Sequence, residues 1–409
     1  MVPVVVGGDI GAYALLRAFH EDGAAHEVDV RGVVVSRVRT RPFADSRIAR
    51  HVIADVEDPQ ALIEALTGIA REMPGERLIL LSNADWYVET IVNHRAELEK
   101  HYDIPMCSAD VFARVSSKEA FQADCEALDI PVPRTIPVRF GSGAAVPDGV
   151  LDSLTYPVIG KASSSAEHHY VTYPGKLKVA HLETRAEVDE LLSRLATAGF
   201  QGTYLLQEFI PGDETQMRSL TAYRDARGVV TMLCTGRVLL EEHTPGTLGI
   251  PAAILTEPYA DAMDAMTRYL DRVDYRGFAN ADYKWDARAN RHVFFEVNPR
   301  IGRNNYYATA AGVNPAPFVL ADCAGESVAP VRATAEVLYS VVPFGLLKRY
   351  LLDPALKARV VAAARRGIAR PLHNPADGSM LRRLTIAAFT WNFRRKYRQY
   401  YPRPTATGH

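Results

Sequence analysis

Hydrophobic and polar positions along this chain follow two alternating periods. "VPVVVGG" is an apolar run halted by glycines, and "GAYALLRAFHE" then spaces its apolar residues as a helix does. The pair predicts a strand, a tight turn and a helix. "VDVRGVVVS" and "RLILLSN" predict further strands, with "PQALIEALTGIARE" a helix between them. Strands alternating with helices predict a parallel α/β domain over residues 1–110. Downstream, "SSKEAFQADCEALD" predicts a helix capped by Ser116 and Ser117. "YPVIGK" predicts a strand ending at Lys161, "AEVDELLSRLATAG" an amphipathic helix, and "TYLLQEFIPGDE" a strand and a turn. "MRSLTAYRDARGVVTMLCTGRVLL" predicts a hairpin turning at Asp225–Gly228. "EPYADAMDAMTRYLDRVDYRG" predicts a helix ended by Gly277, and "FANADYKWDARANRHVFFEVN" two strands about the polar turn "DARAN".

The last hairpin carries the chemistry. Strand side chains alternate faces, so Phe278, Asn280, Asp282 and Lys284 share one, and Glu296 and Asn298 share another. Val293, Phe295 and Val297 then face the core. Pairing across "DARAN" brings Asp282 beside Glu296 and Asn298, an all-oxygen set that suits magnesium holding nucleotide phosphates. The competing reading is a hairpin with an ordinary polar solvent face. Pro299 stops the strand where the polar cluster ends, and Arg300 sets a fork of donors where phosphate oxygens or an oxyanion would sit. Lys161, Lys118 and Lys178 are each placed to reach phosphates, or are plain surface charges. "LLQEFIPGDE" offers a strand end able to read adenine, and the acids Glu208 and Glu214, one of which can reach a ribose. Asn83 and Asp85 in the loop "SNADWYVE" follow a strand end and read as substrate contacts or as a helix cap. Arg218, Arg237 and Arg303 read as carboxylate clamps or as surface ion-pair partners, and Asn304 and Asn305 as carboxylate ligands or as residues that shape the turn.

Bulk properties narrow the class. With 409 residues, 48% hydrophobic and 23% charged, the chain is expected to form two to four globular domains. No apolar run is long enough for a membrane-spanning helix. The N-terminal segment lacks a basic start, its first positive residue being Arg17, and reads as a strand rather than a signal peptide. The 4 cysteines show no CxxC pair, which fits a reducing cytoplasm and argues against zinc or a disulfide framework. The net charge of −1 conceals a basic tail, with 14 Lys and Arg against 2 Asp and Glu from Gly345 onward. There Arg394, Arg395, Lys396 and Arg398 interleave with aromatics. That segment suits a diphosphate-linked precursor or a weak contact with an anionic membrane at its inner face, or is a solvated helix packed on an acidic body. No nucleic-acid partner is expected. The first turn, G-G-D-I-G, lacks the G-x-G-x-x-G of a dinucleotide site, which weakens a nicotinamide oxidoreductase.

Taken in order, Lys118, "PVIGK", "QEFIPGDE", "NAD" with Asp282, and "EVNPR" resemble the ATP-grasp superfamily over residues 111–330. The resemblance implies a pre-grasp α/β domain (1–110), lobes of α+β character at about 111–205 and 206–330 that clamp a nucleotide, and a basic helical extension (331–409). By the same resemblance Lys118 and Lys161 contact phosphates. Glu208, Phe209 and Ile210 hold adenine, and Glu214 lies near the ribose. Asp282, Glu296 and Asn298 hold magnesium (two ions, with manganese an alternative), and Arg300 stabilises the transferred phosphoryl group or an acyl oxyanion. The loop "ASSSAEHHY" is serine-rich where relatives are often glycine-rich, and 162–175 reads as a lid. The "NPRIGRNNYYATAAGVNP" continuation and the tail look similar to the D-aspartate ligase group of these carboxylate–amine ligases. That likeness implies an acyl-phosphate route joining D-aspartate to the amine of a UDP-linked cell-wall peptide in the cytoplasm. Another amino-acid or peptide ligase, or a non-catalytic ATP-binding protein, is the alternative.

Overall fold

The computed structural model describes residues 1–141, 149–163, 171–177 and 179–405. They group into two compact units: Met1–Leu128 with Gly212–Trp285 and Glu296–His409, and Asp129–Pro211 with Asp286–Phe295.

The first unit opens with a parallel sheet ordered β3-β2-β1-β4-β5, formed by Val2–Val6 (β1), Gly32–Ser36 (β2), Ala49–Ile53 (β3), Leu78–Ser82 (β4) and Tyr102–Asp103 (β5). Val4 pairs with Val33 on one side and Leu80 on the other, and all three are buried. A central parallel strand is covered on both faces, which is why these strands read as continuous apolar runs. Each fully buried Val or Leu contributes roughly 1.5–3 kcal/mol. Between them run α1 (Ile10–Ala25), α2 (Pro59–Glu72), α3 (Asp85–Asn93) and α4 (Arg95–Leu98), followed by α5 (Ala109–Ser116) and α6 (Lys118–Glu126). Asp9 caps α1, its Oδ1 accepting from Ala12 N at 3.0 Å.

Several boundaries differ from expectation. "VDVRGVVVS" forms a strand only from Gly32. The loop "SNADWYVE" is helical from Asp85 onward. Ser117 alone caps α6, because Ser116 is the last residue of α5. Gly277 does not end a helix. The helix Ala260–Arg272 stops at Val273, and Gly277 starts a strand with φ at +99°. A Cβ there would stand 2.4 Å from Pro105 O, so a close backbone approach rather than a cap demands the glycine.

The large sheet, which belongs to this unit except for Asp286–Phe295, is ordered β14-β13-β10-β11-β12-β16-β17, with β15 beside β11. Its strands are Met217–Arg224 (β10), Val230–Glu241 (β11), Pro251–Thr256 (β12), Gly277–Asp286 (β13), Arg291–Asn298 (β14), Val331–Arg332 (β15), Leu338–Ser340 (β16) and Ile368–Ala369 (β17). The hairpins about 225–229 and 287–290 form as the alternation predicts. Val293 and Val297 are buried, but Phe294 fills the core where Phe295 was expected, Phe295 being half-buried. The basic extension joins the same core. Helix Met380–Tyr400 buries Ile386, Phe393 and Tyr397, and Tyr397 donates its hydroxyl to Glu241 O.

The second unit is an antiparallel sheet ordered β6-β9-β7-β8, from Thr135–Arg139 (β6), Val158–Ala162 (β7), Val179–Leu182 (β8) and Thr203–Glu208 (β9). Helix Arg185–Thr197 packs Val188, Leu191 and Leu195 into a core with Val158, Tyr204 and Leu206. β7 continues one residue past Lys161. Lys178 and residues 164–170 of the serine-rich loop and lid lie outside the described residues.

Candidate active site

In the first unit β13 and β14 bring the expected acids together. Asn298 Nδ2 donates to Asp282 Oδ2 at 3.2 Å and lies 3.4 Å from Asn280 O. That leaves the Asn298 carbonyl oxygen to be a ligand. Burial, and then the neighbouring Glu296, push Asp282 up to about 7, against the opposing pull of Arg300 and the Asn298 amide. Two acids that repel each other beside an amide oxygen form a donor set that fits a hard divalent cation. Among the described residues no cluster of three or more His, Cys, Asp or Glu stands at metal-binding spacing, and the set here is two acids and an amide.

A cleft of about 170 Å³ opens onto this set, lined by Glu296, Asn298, Pro299, Asp85, Ser116 and Lys118 among others. Lys118 is the first residue of α6 and part of the cleft wall. A cation at a helix N-terminus opposes the helix dipole, an arrangement that an anionic ligand would relieve. Arg300 Nε stands 3.4 Å from Asp85 Oδ1, yet both atoms are buried and neither makes a hydrogen bond. The guanidinium is therefore attracted but not tied down.

The remaining candidates in this unit divide. Arg218 and Arg237 are register partners on β10 and β11 and converge on Thr215 O, from Nη1 at 2.9 Å and Nε at 2.8 Å. Among the described residues neither is paired with a carboxylate. Burial, and then Arg237, lower Arg218 to about 10. Arg303 is already engaged, lying 3.1 Å from Asp9 Oδ2 and bonding Glu242 through Nη1. Burial opposes its charge, but Glu242 and Asp9 hold it above its ordinary value. Asn304 donates to Ser219 Oγ, and Asn305 ties the turn to α1 through Gly11 O at 3.0 Å and to Gly302 O at 2.8 Å. Glu214 turns inward, its Oε2 accepting from Glu241 N at 2.6 Å with His243 Nε2 at 3.4 Å. Burial pushes Glu214 up to about 8 and His243 down to about 4.

In the second unit Lys161 Nζ donates to Gln207 Oε1 at 3.1 Å. Glu208 Oε1 accepts from Thr155 N at 2.9 Å, Phe209 meets the His181 ring edge-on at 5.0 Å, and Ile210 is buried. The sequence reading missed Asp9, Gln207 and Glu242. Asp9 was visible as the odd acid in a glycine turn, and Gln207 as the polar residue heading "QEFI". Glu242 had no local signal.

The sequence profile of the carbamoyl-phosphate synthase L chain ATP-binding domain matches residues 118–316. A D-aspartate ligase from Enterococcus faecium (strain Aus0004) is 32% identical over 332 residues, covering 78% of this chain and 76% of the relative. The chain belongs to the ATP-grasp carboxylate–amine ligases. It is an ATP-dependent ligase, as the sequence reading expected. Solved structures agree on the fold. N5-carboxyaminoimidazole ribonucleotide synthetase from Thermus thermophilus superposes with a TM-score of 0.56 at 18% identity, over 83% of this chain and 82% of that one. An L-amino acid ligase from Bacillus licheniformis gives 0.52 at 13%, over 78% and 73%. Enzymes of this superfamily use ATP with a divalent metal. Among the described residues no helix is long and apolar enough to cross a membrane.

Proposed function

We propose that this ligase joins the β-carboxylate of D-aspartate to the side-chain amine of a peptidoglycan-precursor peptide, with ATP cleaved to ADP and phosphate in the cytoplasm. The observation that carries the reading is the 32% identity to a D-aspartate ligase across most of both chains. A free carboxylate resists an amine because oxide would have to leave, so the β-carboxylate first takes the γ-phosphoryl group. The amine then attacks the acyl phosphate, and phosphate departs.

The residues divide the work. Lys118 and Lys161 would hold phosphates, residues 208–210 the adenine, and Glu214 the ribose if its carboxylate turns from Glu241 N. Asp282, Glu296 and Asn298 would hold magnesium ions (two in this reading), which when bound shield the transferred group and orient it. Arg300, attracted to Asp85 without a hydrogen bond, is free to follow the charge that develops on the phosphoryl or acyl oxygen. Arg218 and Arg237, side by side with no acid between them, suit the α-carboxylate of the amino acid. Arg303 and Asn305, held by protein partners, position the loop that carries them.

The test is ADP release with D-aspartate and a lysine-containing UDP-linked muramyl peptide, with Glu296→Ala as the blank. ADP and phosphate should form in equal amounts with this pair and not with L-aspartate. Turnover with a different acid or amine, and none with this pair, would overturn the substrate assignment and leave the ligase chemistry standing.

A further inference from the structure

Helix Met380–Tyr400 has two long faces, and the core accounts for one of them. Arg382, Ile386, Phe393 and Tyr397 recur at helical spacing and are buried. The opposite face is exposed. Met380, Leu384, Ala387, Trp391, Arg395 and Arg398 follow one another along it three or four residues apart. Met380, Leu384 and Trp391 are 71%, 62% and 64% exposed, and the neighbouring Leu381 is 61% exposed.

The exposed face changes chemistry part-way along. From Met380 to Trp391 it is apolar over about 17 Å, with Arg383 on its flank. From Arg394 to Arg398 it is basic. Arg394, Arg395 and Arg398 are exposed, and among the described residues none is paired with a carboxylate. Arg394 marks the border, its guanidinium lying over the Trp391 ring at 5.6 Å. Lys396, by contrast, turns back toward Glu242 at 4.0 Å and over the Phe393 ring. The short helix Phe344–Tyr350 adds exposed Lys348 and Arg349 at the basic end. Arg349 Nη2 donates to Pro402 O at 3.1 Å, and a Cβ on Gly345 would stand 3.9 Å from Arg394 Nη2. The sequence from 378 to 409 contains no acid.

Single exposed apolar side chains are ordinary, but a contiguous stripe of them marks a surface that meets something. We propose that this face docks on the headgroup plane of a bilayer carrying anionic lipid. Met380, Leu381, Leu384 and Trp391 enter the boundary between headgroups and acyl chains, and Arg394, Arg395 and Arg398 meet the lipid phosphates. An indole at the border suits that depth, being an apolar ring with one polar edge. Charge decides against the other occupants. An isologous pair of chains would set these arginines against a segment that offers no acid to receive them. A nucleic acid would meet the basic half and leave four large apolar side chains in water. An anionic bilayer surface meets both halves at once. The proposal is independent of the acid and amine assigned above, since none of these residues lines the cleft beside Glu296 and Asn298.

The test is co-sedimentation of the full chain with vesicles of phosphatidylcholine alone and with vesicles that also contain phosphatidylglycerol. Two double variants probe the two halves: Leu384→Gln with Trp391→Gln, and Arg395→Glu with Arg398→Glu. All four positions are exposed, so both proteins should keep the wild-type melting temperature and ADP affinity. Wild type should pellet with the phosphatidylglycerol vesicles, far less with phosphatidylcholine alone, and be released by added salt. Each double variant should weaken the partition by about tenfold or more. The proposal is overturned if wild type stays in the supernatant, if it binds both lipids equally, or if the folded variants bind as wild type does. A wild-type dimer that Leu384→Gln with Trp391→Gln turns into monomers, with no vesicle binding, would assign the face to a second copy and equally overturn it.

Discussion

Arg300 and Asp85 face each other 3.4 Å apart with no hydrogen bond between them, and the role proposed for Arg300 rests on that looseness. A lysine at 300 would keep the charge and lose the planar fork. Arg300→Lys should lower kcat for ADP formation by about 10²- to 10³-fold with little change in ADP affinity, measured by coupled assay and titration. Glu214 makes a prediction about pH. Its folded pKa of about 8 lies above the ordinary 4.5, so the folded protein holds a proton there that the unfolded chain has lost. That contribution is fully present below 4.5 and lost as pH rises through 8. His243, lowered to about 4 from 6.5, acts in the opposite sense below 6.5. Between pH 6.5 and 8, therefore, wild-type Tm should fall as pH rises, and Glu214→Gln should flatten that fall. The clustering of Asp282, Glu296 and Asn298 was legible because they lie on adjacent strands whose alternation fixes their facing. Ion pairing was one reading of Arg303, but its partners were not legible, because Asp9 is almost three hundred residues away in sequence and no local pattern announces the pair.

At the scale of elements, the first βα unit, helix α2 and the two hairpins were readable, since each rests on its own periodicity and turn residues. Gly277 was misread because a glycine after a helix usually caps it, whereas here Pro105 O occupies the place of a side chain. Gly277→Ala should destabilise the protein by roughly 1–3 kcal/mol, read from the urea midpoint at unchanged m-value. A glycine serving merely as a cap would lose less and could be replaced by asparagine. Gly277→Asn should instead be at least as damaging as alanine, since the larger side chain meets the same carbonyl.

Across the whole molecule the excess of basic residues proves partly structural. Arg359 pairs with Glu257 and Glu336, Arg366 with Glu336, and Arg382 with Asp377, while Arg394, Arg395 and Arg398 remain exposed. Composition could count these charges but could not say which ones an acidic partner would meet. Removing residues 380–405 should therefore abolish cooperative unfolding and yield insoluble protein, because Ile386, Phe393 and Tyr397 complete the main core. A dispensable arm would leave the melting temperature where it was.

The first helix is finished by one of the last segments. Arg17 gives its guanidinium to the carbonyls of Arg370, Pro371 and His373, Tyr13 gives its hydroxyl to Asp377, and Arg382 stacks on the Tyr13 ring. Arg17 has Glu21 on its own helix and Tyr13 has Phe43, but until residues 370–382 have been synthesised neither has the carbonyls or the carboxylate that complete its hydrogen bonding. The nascent chain must therefore carry an incompletely bonded α1 until these residues emerge, and closing it is a long-range step across more than three hundred and fifty residues.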